Sequence, residues 1–436
     1  MQVGRVVLTP WWLTKRNRIQ TEAPAELDWG EDMHFRSWHR TDVGCVRERN
    51  EDSFVVLQDN GVFAVCDGCG GKAGGDRASA TAARIISHEG ARLAQTFADY
   101  RSAKDKDLRT QILQQIARIF DQCSNEIFGT TQHEPELTGM ATTGVMLAFL
   151  DSSGFIGHVG DSRIYLIRRD KIYQLTEDHS FFQRLVNAGK LKPEDYDKFP
   201  YKHIISRSIG SEPTVQTDTL FVDLLPNDIY LLCSDGVSDL IKPVEMLSIG
   251  HYDGPAHLVD KLVELAKERG APDNATAVAI SIDESPESDT HSIDFTARLT
   301  LFSNIELFRL LNDQELTRVL RIVYEESHQA GACIIAEGTA GNCLYVVAEG
   351  AVTVSLKGVE LTVIPEGGHF GELALVDKSP RSASAFAREN VTLLRIDQGD
   401  FYKLTQQDPV LANKLLWVFL ESAARRVREL SGRVSR

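Results

Sequence analysis

The sequence has no long apolar run and no excess of positive charge. The longest uninterrupted apolar stretches, such as 145–150, fall far short of the roughly 18 residues that a membrane-spanning helix needs. Lys and Arg number 47 against 62 Asp and Glu, and the formal net charge of -15 would repel phosphate backbones and anionic lipid headgroups. No charged start leads into an apolar core and a cleavage site. We therefore expect no membrane span, no nucleic-acid partner and a cytoplasmic location.

Cysteine is scarce and offers no paired framework. The seven cysteines form an odd, scattered set, which favours reduced thiols over a secreted disulfide scaffold. Cys66 and Cys69 have the spacing of a zinc knuckle or redox pair, but no second knuckle accompanies them. We interpret both as small packed side chains in an acidic loop, with metal or redox use as the minor alternative.

The length of 436 residues fits two or three domains, since one domain usually takes about 100 to 200 residues. A stretch rich in acids and serine at 284–298 has the composition of a linker. We therefore predict an N-terminal surface arm, a first domain, this linker and a second domain. Their bounds are 1–32, 33–283, 284–298 and 299–436.

Short apolar runs separated by Gly and Asp predict strands in the first domain, and two long segments with helical spacing predict helices. The strands are expected at 53–57, 61–66, 143–150, 155–159, 163–168, 229–233 and 275–282, and the helices at 75–97 and 106–128. Because each helix must cover one face of a sheet, this order indicates an α/β (α+β) sandwich.

The second domain combines β runs with flanking helices. Residues 331–396 contain many short apolar runs, which glycines such as Gly338, Gly350 and Gly358 separate. This pattern is typical of a small β barrel or jelly roll. Helical spacing predicts one helix at 307–327 before it and another at 412–430 after it.

Acidic side chains stand beside Gly, Asn or Ser at the predicted strand ends of the first domain. The five segments are 47–52, 66–68, 160–163, 233–236 and 272–276. A single Asp-Gly pair is usually a turn, but carboxylates that meet at one end of a sandwich need cations to balance their charge. Oxygen donors without a His pair suit Mg²⁺ or Mn²⁺ rather than Zn²⁺.

Such a cluster favours phosphate hydrolysis. Two ions held about 3.5 to 4 Å apart can share a water, lower its pKa and direct it at a phosphorus atom. A guanidinium beside them would bind the phosphoryl oxygens and neutralise charge in the transition state. Arg47, five residues before Asp52, is the candidate for this role, although a solvated loop cation is the plainer interpretation of it.

These segments resemble the metal-dependent PPM (PP2C-type) serine/threonine protein phosphatases in their compact bacterial form. The matching motifs run in the family's order over 33–283 and include TDVGCVRERNEDSF, VCDGCGGKAGG, MATTGV, GHVGDSRIYLI, SRSIGSEP, CSDGVSD and APDNATAVAI. The resemblance implies a β-sandwich flanked by helix pairs and hydrolysis of phosphoserine and phosphothreonine with two core Mn²⁺ or Mg²⁺ ions. It also implies phosphorylated proteins as substrates, with a Ser/Thr kinase or its targets as partners.

The resemblance further implies roles for individual residues. Asp67 would bridge the two core metals, and the carbonyl of Gly68 would bind one of them. Asp235 and Asp273 would complete the second metal. Asp161 would support a third, weaker metal site together with Asp235. The remaining implied roles are orientation of the metal-bound water by Asp52, an outer-shell contribution by Glu51 and phosphate binding by Arg47.

Two departures from the family pattern concern the proton donor. Many bacterial members have His where this chain has Lys72, and eukaryotic members have His where it has Cys69. An ordinary lysine is a poor acid near neutral pH, so we expect metal-bound water or the substrate's environment to protonate the leaving alkoxide, with slower turnover. The segment 181–209 resembles the mobile flap of the family. Lysines of such a segment are more often solvated than in contact with substrate. Its candidate substrate contacts are Lys190, Lys192 and Arg207.

Residues 370–383, which read FGELALVDKSPRSA, combine three features suited to a nucleotide. A glycine lets the backbone approach an anion, an acid can accept ribose hydroxyl protons, and an arginine nine residues later can pair with phosphate. They resemble the phosphate-binding cassette of cyclic-nucleotide-binding domains, in a match over about 300–430, and both the acid and the arginine are kept. The resemblance implies that the helix at 412–430 closes over the base and that the binding residues are Gly371, Glu372, Leu373, Arg381 and Ser382.

The two resemblances together give the leading hypothesis, a metal-dependent protein phosphatase regulated by a cyclic nucleotide. Thr in place of Ser382 often accompanies a cGMP preference in the family, so we expect cAMP rather than cGMP. The alternative is a cyclic-nucleotide-dependent binding or adaptor protein with a weak or inactive phosphatase domain, which Lys72 and Cys69 motivate. Metal-dependent hydrolysis of a small aryl phosphate discriminates between the two.

Overall fold

The computed structural model describes residues 34–70, 74–96, 106–150, 152–284, 294–375 and 379–434. The chain divides into two compact units. One holds the described residues of Met1–Arg184 and Asp195–Ser288, and the other those of Leu185–Glu194 and Asp289–Arg436. The expected surface arm at 1–32 and Lys72 lie outside the described residues.

The first region, up to Glu284, contains eleven strands and six α-helices among its described residues. The strands are β1 His34–Asp42, β2 Asp52–Leu57, β3 Val62–Cys69, β4 Ala141–Thr142, β5 Gly144–Leu150, β6 Ser153–Val159, β7 Arg163–Arg168, β8 Lys171–Gln174, β9 Asp218–Asp223, β10 Ile229–Cys233 and β11 Ala275–Glu284. The helices are α1 Gly75–Thr96, α2 Lys106–His133, α3 Phe181–Asn187, α4 Asp235–Ser238, α5 Pro243–Tyr252 and α6 Pro255–Glu268.

These strands form two antiparallel sheets that face each other. One has the order β1-β11-β10-β7-β8, and the other has the order β2-β3-β5-β6-β9 with β4 paired to β3. Aromatic rings from both sheets meet with centroids 5.3 to 5.8 Å apart, and they belong to Phe35, Phe63, Phe149 and Tyr230. Such interdigitation is how the inner faces of a sandwich form a core.

Helices cover the outer faces of both sheets. Ile85 of α1 and Ile116 of α2 share a buried cluster with the sheet that contains β5. Leu258 and Leu262 of α6 share another with the sheet that contains β11. Every residue of β5 and β6 is therefore buried, which explains why these strands read as continuous apolar runs. The predicted α/β sandwich is confirmed.

The second region contains two four-stranded antiparallel sheets, β12-β19-β14-β17 and β13-β18-β15-β16, which confirm the predicted β domain with flanking helices. Its strands are β12 Val323–His328, β13 Cys333–Ile335, β14 Cys343–Glu349, β15 Val352–Leu356, β16 Val359–Ile364, β17 His369–Phe370, β18 Ser384–Ala387 and β19 Val391–Asp397. Its helices are α7 Phe295–Asn304, α8 Asp313–Leu320, α9 Gln398–Gln407 and α10 Pro409–Val434.

The prediction of one helix at 307–327 is wrong. Only α8 is α-helical there, and the chain enters strand β12 at Val323. All six residues of β12 pair with β19, from Val323 with Ile396 to His328 with Val391. The backbone bonds of this ladder and the β-branched or aromatic side chains at its start outweigh the helical spacing of the sequence.

Several helix boundaries also differ from the predictions, among them the end of α2, which lies at His133 rather than 128. α7 begins at Phe295, inside the stretch predicted as linker, because the Asp294 carboxylate accepts hydrogen bonds from the N–H groups of Thr296 and Ala297. α10 covers the helix predicted at 412–430 and is longer at both ends. None of the described helices combines the length and the apolar character needed to cross a membrane.

A buried ion pair in the first unit gives a stability prediction. Arg168 donates to Asp228 over 2.8 and 2.6 Å, and both residues are buried. Replacing Arg168 with Leu leaves a buried carboxylate without its partner, so we expect the free energy of unfolding to fall by about 3 to 5 kcal/mol. Arg92→Leu at the exposed pair with Glu89 should cost less than about 1 kcal/mol. Urea denaturation followed by circular dichroism measures both, and equal losses would contradict the expectation.

Candidate functional sites

The five predicted metal-binding aspartates meet at one edge of the sandwich. Asp52 and Asp67 are direct partners across β2 and β3. Asp161 follows β6, Asp235 follows β10 and Asp273 precedes β11. Burial raises the pKa of Asp67, and the charges of the other four aspartates raise it further. The structure therefore brings these residues together as the sequence predicts.

Burial makes the negative charge of this cluster unfavourable. It raises the pKa of Asp52 to about 6 and the pKa of Asp161 to about 7. It is also the main reason that the pKa values of Asp67 and Asp235 are raised, and the neighbouring carboxylates raise them further. Carboxylates of this kind bind protons or cations to balance their charge.

Two fully buried carboxylate oxygens of the cluster lack any hydrogen-bond partner among the described residues. Asp52 accepts hydrogen bonds at Oδ2 from Ser234 Oγ at 2.8 Å and from Thr276 Oγ1 at 2.6 Å, but its buried Oδ1 accepts none. The buried Oδ1 of Asp235 is in the same situation. A buried acceptor without a donor is costly, and a divalent cation satisfies it. The residues present therefore fit a metal centre.

Gly68 brings the backbone close to this cluster. A Cβ at this position would lie 2.1 Å from the carbonyl oxygen of Gly75 and 2.6 Å from that of Glu51. No side chain fits there without moving the backbone. The Gly68 N–H donates to the Glu51 carbonyl at 3.2 Å, which joins the start of β2 to the end of β3.

Arg47 lies beside the cluster, on a loop that Asn274 fixes. Its Nη2 is 2.7 Å from Asp273 Oδ2, and its side chain is about half exposed. The Asn274 amide donates to the carbonyls of Val43 and Arg49, both at 2.9 Å, while its Oδ1 accepts from the Glu51 N–H. Sequence reasoning did not single out Asn274, although it directly follows Asp273.

The predicted substrate contacts in the segment 181–209 divide into two kinds. Lys190 and Lys192 are exposed. Arg207 instead donates to Asp218 at 2.7 Å and to the Gln216 carbonyl at 3.1 Å. Its guanidinium thus has a structural role in holding the end of the segment against β9.

Cys66 and Cys69, both in strand β3, are thiols in the structure. Neither forms a disulfide. Burial raises the pKa of Cys66 to about 12 and that of Cys69 to about 11. Both sulfurs stay protonated near neutral pH, which disfavours a role as metal ligand or redox nucleophile.

The five residues predicted to bind a cyclic nucleotide line one cavity of about 170 Å³ in the second unit; they are Gly371, Glu372, Leu373, Arg381 and Ser382. Gly371 has a φ of +78°, and a Cβ there would lie 2.6 Å from Arg381 Nη1, so glycine allows the close approach. Glu372 begins a short 3₁₀ turn, Glu372–Leu375, at the cavity wall.

Backbone carbonyls hold the Arg381 guanidinium at this cavity. Nη2 donates to the Cys343 carbonyl at 2.9 Å, and Nη1 donates to the Gly371 carbonyl at 3.2 Å. No carboxylate of the described residues forms an ion pair with Arg381. A partly buried, uncompensated guanidinium beside a cavity attracts an anion.

Two family models match the chain. The model for protein phosphatase 2C matches residues 46–274, more than half of the chain. The model for the cyclic nucleotide-binding domain matches residues 325–408. The first match contains every proposed metal-binding residue, and the second contains the Arg381 cavity.

Known proteins resemble the first unit. The serine/threonine phosphatase stp of Listeria innocua is 32% identical over 55% of this chain and 93% of its own length. The protein phosphatase PhpP of Streptococcus pneumoniae is 34% identical over 56% of this chain and 96% of its own. The crystal structure of the Mycobacterium tuberculosis serine/threonine phosphatase PstP/Ppp superposes with a TM-score of 0.51 at 31% identity, and covers 57% of this chain and 99% of that one.

Fold, aspartate cluster and relatives agree on the class of protein. The chain belongs to the protein phosphatase 2C family, and its first unit is a protein serine/threonine phosphatase domain. Its second unit is a cyclic nucleotide-binding domain.

The raised pKa values predict how the metal-free protein responds to pH. A carboxyl group whose pKa is higher in the folded than in the unfolded state contributes stability at low pH, and that contribution is lost as the pH rises through the folded pKa. The pKa of Asp52 is about 6 and that of Asp161 is about 7. We therefore expect the melting temperature of the metal-free protein in chelator to decrease as the pH rises from about 5 to about 8. Excess Mn²⁺ should restore it at the upper pH.

Differential scanning fluorimetry with chelator or Mn²⁺ measures this response. Asp161→Asn removes one titrating group and should flatten the slope. A melting temperature that rises over the same interval in chelator would contradict the assignment of these pKa shifts to the cluster.

Proposed function

We propose that Mn²⁺ or Mg²⁺ ions bind at the aspartate cluster and serve the hydrolysis of phosphoserine and phosphothreonine in protein substrates. The observation that carries the proposal is the pair of buried, unbonded oxygens, Asp52 Oδ1 and Asp235 Oδ1, within a set of oxygen donors. When bound, two such ions would lower the pKa of a water molecule, and their positive charge would stabilise the phosphoryl group.

The proposed ligands divide into a core set and a weaker set. The core set is Asp52, Asp67, the Gly68 carbonyl, Asp235 and Asp273. Asp161 with Asp235 serves a third ion. Glu51 is proposed to act from the outer shell of the metal centre, without binding an ion directly. Burial raises the pKa of its carboxyl group.

Asp52 is the residue proposed to orient the attacking water. Ser234 and Thr276 both donate to its Oδ2, which fixes the plane of the carboxylate. Oδ1 is left to accept a hydrogen bond from the water, and such an acceptor aligns the nucleophile for attack.

Arg47 is proposed to bind the phosphoryl oxygens. Its hydrogen bond to Asp273 places the guanidinium at the cluster, and its half-exposed side chain remains accessible to substrate. A guanidinium has five N–H donors, so the one bonded to Asp273 leaves others for phosphate. Cys69, with its raised pKa, is a poor proton donor for the leaving alkoxide, so we assign that step to water.

Asp67, which would hold the core ions, should be essential to this activity. Asp67→Ala should lower Mn²⁺-dependent hydrolysis of an aryl phosphate and of a phosphothreonine peptide by about 100-fold or more. Chelation should abolish the wild-type rate. Asp170→Ala makes the same charge change at an exposed side chain and should keep the wild-type rate.

Phosphate release measures the rates of the wild-type protein, Asp67→Ala and Asp170→Ala. An unchanged rate in Asp67→Ala would contradict the proposal that Asp67 would hold the ions. If the wild-type protein hydrolyses neither substrate, the adaptor alternative, motivated by Cys69 and Lys72, replaces the enzyme.

We also propose that a cyclic nucleotide binds in the Arg381 cavity and regulates the phosphatase. The uncompensated guanidinium supports recognition of the cyclic phosphate, and Glu372 at the wall can accept a ribose hydroxyl proton. Ser382 rather than Thr favours cAMP over cGMP. The protein substrates include those of a Ser/Thr kinase, or the kinase itself.

Helix α10 is the proposed lid of the nucleotide. Leu411, Leu415 and Val418 are buried, whereas Leu416, Trp417 and Leu420 on the same helix are more than half exposed. Lys414 bonds to Glu315 of α8 at 2.7 Å, which anchors the helix start. A nucleotide whose base packs against the exposed apolar face of α10 favours one position of this helix over another. Such a ligand typically changes the free-energy difference between the two positions by about 1 to 3 kcal/mol.

Arg381→Ala should weaken cAMP binding by about 2 kcal/mol, roughly 30-fold, because the cyclic phosphate loses its charge-assisted bonds. Calorimetric titration of the full chain with cAMP and cGMP measures the loss. Arg388→Ala is the matched control, an exposed arginine whose partner Glu360 lies 3.9 Å away. At a nucleotide concentration that occupies the wild-type site but lies well below the raised Kd of Arg381→Ala, we expect activation of phosphopeptide hydrolysis by the wild-type protein and not by the variant. Equal wild-type rates with and without nucleotide would remove the regulatory role and leave binding in place.

A further inference from the structure

A buried threonine holds both backbone groups of Asp67. Thr143 lies between β4 and β5 and is 1% exposed. The Asp67 N–H donates to Thr143 Oγ1 at 3.1 Å, and the Asp67 carbonyl accepts from the Thr143 N–H at 2.8 Å. The hydroxyl of Thr142 donates to the same carbonyl, also at 2.8 Å. Because the backbone sets the direction of the Cα–Cβ bond, these contacts also fix where the Asp67 side chain leaves β3.

The same hydroxyl reaches the turn that carries Asp161. Thr143 Oγ1 lies 2.7 Å from Ser162 Oγ, and Ser162 directly follows Asp161 in the chain. Ser162 is fully buried, as Thr143 is. A hydroxyl can accept one hydrogen bond and donate another. Two hydroxyls in series therefore connect the backbone of one proposed metal ligand to the neighbour of another.

Close packing holds this turn against Thr143. A Cβ at Gly160 would lie 2.5 Å from the Thr143 Cβ. The Gly160 N–H donates to His179 Nδ1 at 3.0 Å, and the Gly160 carbonyl accepts from the His179 N–H at 2.7 Å. The turn is thus fixed between Thr143 and His179, and Thr143 contacts both segments that carry these aspartates.

We propose that Thr143 is a positioning residue of the phosphatase, whose hydroxyl, acting through Ser162, fixes the separation between the Asp67 and Asp161 carboxylates. The proposal rests on the proposed function, because it gives these two side chains their place in the metal centre and adds no ligand to it. In this role Thr143 touches neither ion nor substrate. A divalent cation needs its oxygen ligands at set distances, so ligands that lose their outer supports bind it less tightly.

Isothermal titration calorimetry of the full chain with Mn²⁺, at a temperature where every variant is folded, tests this role. Thr143→Val keeps the volume of the side chain and removes its hydroxyl, whereas Ser162→Ala removes only the second member of the pair. Each should raise the dissociation constant for Mn²⁺ by about tenfold or more. Thr143→Ser keeps the hydroxyl and should bind Mn²⁺ as tightly as the wild-type protein does.

Thr176→Val is the matched control. It makes the same substitution at a threonine that is 4% exposed, and whose hydroxyl accepts from the Ile164 N–H at 3.1 Å rather than from an aspartate. It should lower the melting temperature, because a buried hydrogen bond is lost, and leave the affinity for Mn²⁺ unchanged. A loss of affinity equal to that of Thr143→Val would assign the effect to general stability and overturn the proposal.

The remaining outcomes separate the positioning role from the metal centre itself. Wild-type affinity in Thr143→Val or in Ser162→Ala overturns the connection through the two hydroxyls and leaves the centre in place. An affinity in Thr143→Ser as weak as in Thr143→Val overturns the role of the hydroxyl. If the wild-type chain binds no Mn²⁺, the proposed metal centre is wrong and the positioning role falls with it.

Discussion

Negative charge concentrated at one edge of the sandwich is the constraint on which the first unit depends. Asp52 and Asp67 are opposite each other in adjacent strands, a placement that is unfavourable for like charges. The strands cannot separate to relieve the repulsion, because the β2–β3 ladder continues to Leu57, β3 also pairs with β5, and the Phe63 ring of β3 packs against Phe35 of the other sheet. The charge must be balanced in place, by protons or by cations, and both solutions keep the same geometry.

The polar residues around the aspartates prepare that geometry before any ion arrives. Ser234, which directly follows β10, and Thr276 of the neighbouring β11 both bond to one oxygen of Asp52, so its other oxygen points to a defined place. Asn274 holds the loop of Arg47 in the same way, through three hydrogen bonds to backbone groups. Preorganisation of this kind is what a metal-assisted hydrolase needs, because reorganisation at the moment of reaction lowers the rate.

The sequence predicts the parts of the site whose signals are local. Asp67 follows a buried apolar run and precedes glycine, so its place at a strand end could be read directly. The donors to Asp52 could not be found in this way, since Ser234 and Thr276 lie 182 and 224 positions further along the chain. The failed helix at 307–327 has a similar cause, because the pairing of β12 with β19 joins residues about 70 positions apart. Tertiary contacts of that separation leave no periodicity in the sequence.

The two sites are built from different kinds of group. Cations bind to carboxylates only after protons leave, so with the pKa of Asp52 at about 6 and that of Asp161 at about 7 the affinity of the cluster for metal should rise through neutral pH. At the cavity of the second unit, backbone carbonyls rather than carboxylates hold the Arg381 guanidinium. If a nucleotide binding at Arg381 regulates the phosphatase as proposed, the coupling therefore has to come from conformation rather than from a carboxylate that both sites share.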